Sequence, residues 1–205
     1  MVRATGRTKA WHHRHRRVAL QESCPQNNFR RIIAALVPEG EFCNHVINYF
    51  PEPSVALPLE ALLALLNCKL SDWYFRIGST NAHVNHYQLY SLPSPRFASD
   101  PPDQDLLAIF ESVLQSGTLG RAFEVLVPLL DEAPFVQTVV DCIVKVVERI
   151  IEIETERGEI ARSDRSSLAA AAQPLQDLLD RIFFRMAGLT DEEATGLEER
   201  LAKML

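Results

Sequence analysis

A polar segment at residues 79–87 concentrates side chains that can make specific hydrogen bonds. The donors and acceptors within it are Ser79, Thr80, Asn81, His83, Asn85, His86 and Tyr87. An asparagine amide can pair bidentately with adenine, and hydroxyl and imidazole groups can contact phosphates or base edges. The segment therefore has the chemistry of a nucleic-acid contact. The alternative is a solvated surface loop of the same composition.

Arginines of the N-terminal half could neutralise a phosphate backbone and make binding depend on salt. They are Arg14, Arg16, Arg17, Arg30, Arg31 and Arg76. Residues 1–96 hold 11 Lys/Arg against 6 Asp/Glu, a formal charge of +5, whereas residues 97–205 hold 10 against 21, a formal charge of −11. This asymmetry predicts that the first half meets a polyanion and that the second does not.

Catalytic and metal-binding patterns are missing from the sequence. GxGxxG, GxxxxGK[ST] and GxSxG do not occur, and the histidines and cysteines lack the CxxC spacing of structural zinc sites. The DPPD stretch at residues 100–103 differs from the Asp/Asn-Pro-Pro-aromatic loop of amino-methylating enzymes, because Asp103 cannot stack on a base. We expect Asp103 to cap the next helix instead. We predict no catalytic, cofactor-binding or metal-binding residue in this chain.

Composition indicates an ordinary globular protein. The 205 residues are 47% apolar and 23% charged, which excludes disorder throughout, collagen and a disulfide-stapled miniprotein. No apolar run approaches the roughly 18–20 residues of a membrane span, and no apolar stretch follows the basic N-terminus as it would in a secretory signal. The four cysteines form no CxxC, so we expect reduced thiols in a cytoplasmic protein.

Short strands and one helix are predicted to position the polar segment. Residues 1–15 indicate a basic disordered tail. Near-alternation of apolar residues predicts a strand over 17–22, and turn chemistry follows at 23–28. The β-branched Ile32 and Ile33 favour a second strand over 29–37, and residues 42–50 are expected to be extended. From Leu57 the apolar residues recur at steps of three and four, which predicts a helix ending near Ile77 with Gly78 as its cap. A further strand is predicted over 87–92.

Beyond a Pro-rich linker at 96–103 every element is predicted to be helical. Helices are expected over 106–114, over 119–130 with an interruption at Pro128, and over 136–156. The last carries a heptad seam of Val139, Ile143, Val146, Ile150 and Ile153. A second seam of Leu175, Leu179, Ile182 and Met186 follows an N-cap at Asp164, which predicts an antiparallel helix hairpin. Gly188 is expected to end that helix, and Thr190 to Glu193 form a capping box for a final one.

Residues 61–95, ALLALLNCKLSDWYFRIGSTNAHVNHYQLYSLPSP, resemble a known specificity region. It is the C-terminal region of TaqI-like and Eco57I-like adenine-specific DNA methyltransferases and fused type II restriction-modification enzymes. In that family a LLALLNSKL helix leads through an aromatic/Arg stretch to a polar loop and closes with LPxP, and Cys68 stands here where serine is usual. Similar segments lie at 16–22, 28–38, 40–44 and 178–193, so the resemblance covers most of 16–198.

The resemblance implies that this chain selects a target in double-stranded DNA while a methyltransferase catalytic domain, in cis or in trans, flips and methylates an adenine. The family's S-adenosylmethionine pocket and Asn-Pro-Pro-aromatic loop lie in that catalytic domain and are missing here. The chain would be the tail of such an enzyme, a separate specificity polypeptide or a truncated gene. The candidate DNA-binding residues are Arg16, Arg17, Asn28, Arg30, Arg31, Arg76, Ser79, Thr80, Asn81, His83, Asn85 and Tyr87.

The predicted fold is therefore α+β. A small mixed β/α recognition region at 16–96 is followed by a helical region at 103–205 that contains the long antiparallel hairpin. The alternative function is a helical protein–protein interaction module without DNA binding, in which the apolar seam at 136–153 would be a dimer or partner interface.

Overall fold

The computed structural model describes residues 11–43, 47–52, 55–79, 82–159 and 165–204. The chain forms two compact units, the first of residues 1–67, 71–92 and 204–205 and the second of residues 68–70 and 93–203. The first unit holds a small antiparallel sheet with helices, and the second is helical. The predicted α+β class is confirmed.

The sheet of the first unit has three strands in the order β2-β1-β3. Strand β1 (Arg17–Gln21) lies in the middle and pairs antiparallel with β2 (Ala34–Val37) and with β3 (Ile47–Pro51). Its register places Val18 opposite Leu36 on one side and opposite Phe50 on the other. Because β1 is central, its first four residues are buried. The predicted strand at 17–22 is confirmed, and those predicted at 29–37 and 42–50 are shorter than expected.

Three helices follow the sheet: α1 (Leu59–Asn67), α2 (Lys69–Gly78) and α3 (His86–Tyr90). They belong to the first unit except for residues 69 and 70 of α2, which belong to the second. Helix α1 packs on β1 and β2 through its apolar face, which includes Leu59, Leu63 and Leu66. The single predicted helix from Leu57 to Ile77 is thus two helices with a break at Cys68. Gly78 is the last residue of α2 and does not have the positive φ of a glycine cap.

The strand predicted at residues 87–92 is wrong. Asn85 starts α3 instead, because its backbone N–H donates to Gln88 Oε1 at 3.0 Å and its carbonyl accepts from the backbone N–H groups of Gln88 and Leu89. These local hydrogen bonds pair backbone groups in the first turn of a helix. They favour a helix over the strand that the short alternation of apolar residues predicted.

The second unit contains α4 (Gln104–Gln115), α5 (Leu119–Leu126), a 3₁₀ turn (Val127–Leu129), α6 (Gln137–Glu159), α7 (Arg165–Met186) and α8 (Asp191–Lys203). Helix α6 packs on α7 and α4, and α5 packs on α4 and α7. Pro128 lies in the 3₁₀ turn, which agrees with the interruption predicted there. The predicted cap Asp164 lies outside the described residues, and the antiparallel arrangement of α6 and α7 stays a prediction.

Side-chain caps in the second unit follow the sequence closely. Asp103 Oδ1 accepts from the backbone N–H of Leu106 at 3.0 Å, so the DPPD stretch is a helix entry, as predicted. The capping box is complete: the backbone N–H of Glu193 donates to Thr190 Oγ1 at 3.2 Å, and the backbone N–H of Thr190 donates to Glu193 Oε2 at 2.9 Å. Gly188 has φ +74° and ends α7, as predicted.

A lysine within an acidic group is a further feature of the second unit. Lys69 Nζ lies 2.6 Å from Glu198, 3.3 Å from Asp177 and 3.3 Å from Asp180, whose carboxylate is buried. The backbone N–H of Lys69 also donates to Asp180 Oδ1 at 2.7 Å. Burial opposes the charge of Lys69, but the bond to Glu198 and the three carboxylates raise its pKa above the ordinary value of 10.5.

We expect this group to stabilise the fold at neutral pH and to weaken in alkali. A raised pKa means that folding favours the charged lysine, so its contribution is complete below pH 10.5 and is lost as the pH rises beyond that value. Lys69→Met is expected to lower the free energy of unfolding by about 2 kcal/mol at pH 8, and by less at pH 11. Urea denaturation followed by circular dichroism measures both differences. An equal difference at the two pH values would contradict the expectation.

The four cysteines, Cys24, Cys43, Cys68 and Cys142, are free thiols, in agreement with the sequence prediction. In the described part of the chain, no helix combines the length and the apolar character that crossing a membrane requires.

Candidate nucleic-acid interface

The loop between β1 and β2 is held in place by Arg76 of α2. Its guanidinium donates from Nη1 to the carbonyl of Gln26 at 2.9 Å and from Nη2 to the carbonyl of Asn28 at 2.8 Å. The Cys24 thiol donates to the carbonyl of Arg30 at 2.9 Å and so closes the base of the loop. The loop of residues 25–30 is thus held by hydrogen bonds to its backbone carbonyls. The side chains of Gln26 and Asn27 remain exposed at the surface.

Asp72 is the anionic centre that supports this arrangement. Its Oδ2 accepts from Arg76 Nε at 2.7 Å, and its Oδ1 accepts from the backbone N–H of Arg31 at 2.6 Å. Arg31 is 1% exposed, and its guanidinium lies 5.3 Å from the centre of the Phe75 ring. Burial lowers the pKa of Arg31, and the charge of Arg76 lowers it further, although Asp72 acts in the opposite direction.

Residues 82–85 of the polar segment lie along the far end of β1. The backbone N–H of Cys24 donates to the carbonyl of Ala82 at 2.7 Å, and that of Val84 donates to the carbonyl of Glu22 at 2.7 Å. These bonds form an antiparallel bridge between Ser23 and His83. Two loops that lie 60 residues apart in the sequence are therefore neighbours. We call the exposed parts of residues 25–30 and 82–85 the paired-loop surface.

Several predicted site residues lie on or under this surface. Arg30 is half-buried and His83 is exposed, whereas Asn85 is half-buried at the start of α3. Asn28 donates from Nδ2 to the Cys24 sulfur at 3.0 Å, so its amide supports the loop. Below the surface, Arg31, Arg76 and Ser79 line one cavity together with Gln26, Asn27 and Met204.

The other predicted residues lie elsewhere. Arg16 and Arg17 are at the opposite end of β1. Arg16 bonds Glu60 at 2.7 Å, and Arg17 is 1% exposed and donates to the carbonyls of His15, Pro38 and Glu41. Arg17 therefore supports the fold and presents no charge at the surface. Tyr87 is 66% exposed on α3, and Thr80 and Asn81 lie outside the described residues.

The predicted disordered tail contains structure at its end. Residues 1–10 lie outside the described part, but Trp11 to His15 form a turn in which the backbone N–H groups of Arg14 and His15 donate to the carbonyls of Trp11 and His12. The rings of Trp11 and His15 pack with centroids 4.0 Å apart. The ring of His12 lies 5.2 Å from that of Tyr49, and the backbone N–H of Gly40 donates to the carbonyl of His13 at 2.7 Å, so residues 11–15 are part of the first unit.

Sequence reasoning missed three exposed side chains of the β1–β2 loop. Gln26 and Asn27 were interpreted only as turn residues, and Phe29, which is 65% exposed, as part of a strand. It also missed a cluster in which the rings of Phe50, His86 and Tyr90 lie 5.8 to 6.2 Å apart. The signal that could have identified Gln26 and Asn27 was the run of amide side chains in SCPQNN at residues 23–28, because amides that follow the end of a strand can pair with base edges.

The apolar seam of α6 lies inside the second unit. Its five side chains, Val139, Ile143, Val146, Ile150 and Ile153, are between 0 and 8% exposed. They form the core between α6 and its neighbouring helices, so a partner interface would have to use a different surface. The interaction-module function stays an untested alternative.

Comparison of the chain with protein-family models, with curated proteins and with solved structures finds no significant match.

Proposed function

We propose that this chain recognises a target sequence in double-stranded DNA for an adenine-N6 methyltransferase or restriction-modification enzyme, and that the catalytic domain lies in cis or in trans. The observation that carries the proposal is the backbone bridge between Ser23 and His83, which joins the two loops into the paired-loop surface. The sequence resemblance to the family's specificity region supports the same function.

The paired-loop surface has the side chains that base reading requires. Gln26 and Asn27 carry amides that can pair bidentately with adenine, and His83 carries an imidazole that can contact a guanine acceptor or a phosphate. All three side chains are exposed. The loop of Gln26 and Asn27 is held by hydrogen bonds from Arg76 to the carbonyls of Gln26 and Asn28, and His83 is held by its bridge to Ser23. A recognition surface on fixed backbone loses little conformational entropy when it binds.

Arg30 supplies positive charge at the same surface. It is partly exposed, and it lies next to Arg31 in a unit whose sequence is basic overall. A phosphate neutralised by one arginine releases condensed counterions, which makes the affinity fall as salt rises. In the proposed complex S-adenosylmethionine binds to the partner catalytic domain, and this chain supplies only the contacts with the target.

Arg30→Ala tests this function against a matched arginine of the second unit. For Arg30→Ala we expect about tenfold weaker binding of a labelled duplex, and a slope of log affinity against log salt that is smaller by about 0.9. Arg121→Ala removes an exposed arginine of α5 and should leave both quantities unchanged. Fluorescence anisotropy of the labelled duplex, titrated between about 20 and about 200 mM salt, measures the affinity and the salt slope, with and without a TaqI-like catalytic domain.

Two results would overturn the proposal. The first is a wild-type protein with no affinity for duplex DNA at low salt, even with the catalytic domain present. The second is an equal loss of affinity for Arg30→Ala and Arg121→Ala, since that would show a dependence on total charge and not on the paired-loop surface.

A further inference from the structure

Three aromatic rings meet at the surface of the first unit. Phe50 belongs to β3, and His86 and Tyr90 lie about one turn apart on α3. The ring centre of Phe50 lies 6.0 Å from that of His86 and 6.2 Å from that of Tyr90, at interplanar angles of 65° and 81°. Such edge-on contacts are favourable between aromatic rings. Phe50 is half-buried, so it supports the two more exposed rings of α3. We call these three rings the aromatic cluster.

The rings on α3 keep much of their surface in contact with water. Tyr90 is 72% exposed, and His86, whose ring lies 5.8 Å from that of Tyr90 at an interplanar angle of 34°, is exposed as well. Tyr87 on the same helix is 66% exposed. Single exposed apolar side chains are ordinary, but a contiguous group of them is typical of an interaction site. The aromatic cluster therefore offers ring faces that a ligand can cover.

The backbone that carries these rings is held in place. Leu89 is 6% exposed and anchors α3 in the core of the first unit. The first turn of α3 is capped at Asn85, and Ser91 Oγ donates to the carbonyl of Tyr87 at 2.8 Å. Phe50 lies opposite Val18 in the ladder between β1 and β3. Rings that are positioned before binding lose little conformational entropy when a ligand covers them.

Chain connectivity places the aromatic cluster beside the paired-loop surface. That surface ends at Asn85, and His86 is the next residue. Three residues separate His86 from the exposed His83, so their Cα atoms lie at most about 11 Å apart. The major groove of B-DNA is about 12 Å wide. A duplex that binds at the paired-loop surface therefore comes within reach of His86 and Tyr90.

We propose that the aromatic cluster, through the exposed ring of Tyr90, stacks on a DNA base that has lost its stacking neighbour. This inference rests on the proposed function. In an intact duplex the bases cover the faces of one another, but an adenine that is methylated must leave the stack, and the bases beside it then expose their faces. An aromatic ring can stack on any base. The contact thus adds affinity for the opened duplex, whereas the amides of the paired-loop surface read its sequence.

A duplex in which 2-aminopurine lies next to an abasic site tests the inference, because the missing base exposes the face of its neighbour. The reference is the same duplex with adenine in place of the abasic site. We expect the wild-type chain to bind the abasic duplex about tenfold more tightly than the intact one, and to quench the 2-aminopurine fluorescence as the ring stacks on it. Tyr90→Phe should keep the preference and the quenching. Tyr90→Leu should lose both and keep its affinity for the intact duplex.

Tyr74→Leu is the matched control, because Tyr74 is a 43% exposed tyrosine of the same unit that lies outside the aromatic cluster. It should bind both duplexes as the wild type does. If the wild type binds both duplexes equally, or if Tyr90→Leu keeps the preference, the inference is wrong and the proposed function stands. If Tyr90→Leu weakens both duplexes equally, or weakens only the binding of a catalytic domain, the ring contacts paired DNA or protein, and the inference is again wrong. A wild type without affinity for either duplex at low salt overturns the inference and the proposed function together.

Discussion

Asp72→Ala is expected to lower the free energy of unfolding of the first unit by about 3–5 kcal/mol, because it leaves a buried guanidinium without its counter-charge. The side chains of Asp72 and Arg76 are 6% and 5% exposed, so water cannot replace the lost carboxylate cheaply. The variant also removes the acceptor of the Arg31 backbone N–H. Urea denaturation followed by tryptophan fluorescence measures the effect, since both tryptophans, Trp11 and Trp73, belong to the first unit.

Two further variants make this result specific. Asp72→Asn keeps an oxygen for the Arg31 N–H and should recover part of the loss. Glu52→Ala breaks an exposed pair with Arg16 in the same unit, whose side chains are 56% and 44% exposed, and should change stability by less than about 1 kcal/mol. A loss for Asp72→Ala no larger than that for Glu52→Ala would show that the buried ion pair does not hold the loop.

Phe110→Ala is expected to destabilise the second unit by about 3–5 kcal/mol. Phe110 is 0% exposed on α4, and its removal leaves a cavity that the packed helices can fill only in part. The midpoint of urea unfolding, followed by circular dichroism at the helix band, should fall accordingly.

The neighbouring residue provides the control for this substitution. Ile109 is 55% exposed on the same helix, so Ile109→Ala should change the free energy of unfolding by no more than about 0.5 kcal/mol. Similar losses for the two variants would mean that the face of α4 toward the core is assigned incorrectly.

The sequence by itself determined the features that depend on neighbours along the chain. Asp103, Gly188 and the pair Thr190–Glu193 cap their helices as predicted, because each cap forms within a few residues and needs no distant partner. The α+β class also follows from the sequence, since the period of the apolar residues changes from two to about 3.6.

Tertiary structure decided where the candidate site lies and which charged side chains are exposed there. Arg17 and Arg30 look alike in the sequence, yet one is buried against carbonyls and the other lies at the paired-loop surface. No glycine or proline lies at the break at Cys68, so the sequence carried no signal for it. There α1 ends at Asn67, whose amide makes two 3.0 Å bonds with the backbone of Ala34.

Long-range contacts also assembled the cavity and the loops. Arg76 reaches carbonyls about 50 residues away, and the bridge between Ser23 and His83 joins segments that no local pattern connects. The spacing of apolar residues and the helix caps depend on interactions between residues that lie within one or two helical turns of each other. Burial of a charge and the meeting of two loops depend on how whole elements pack, and only the folded chain reveals them.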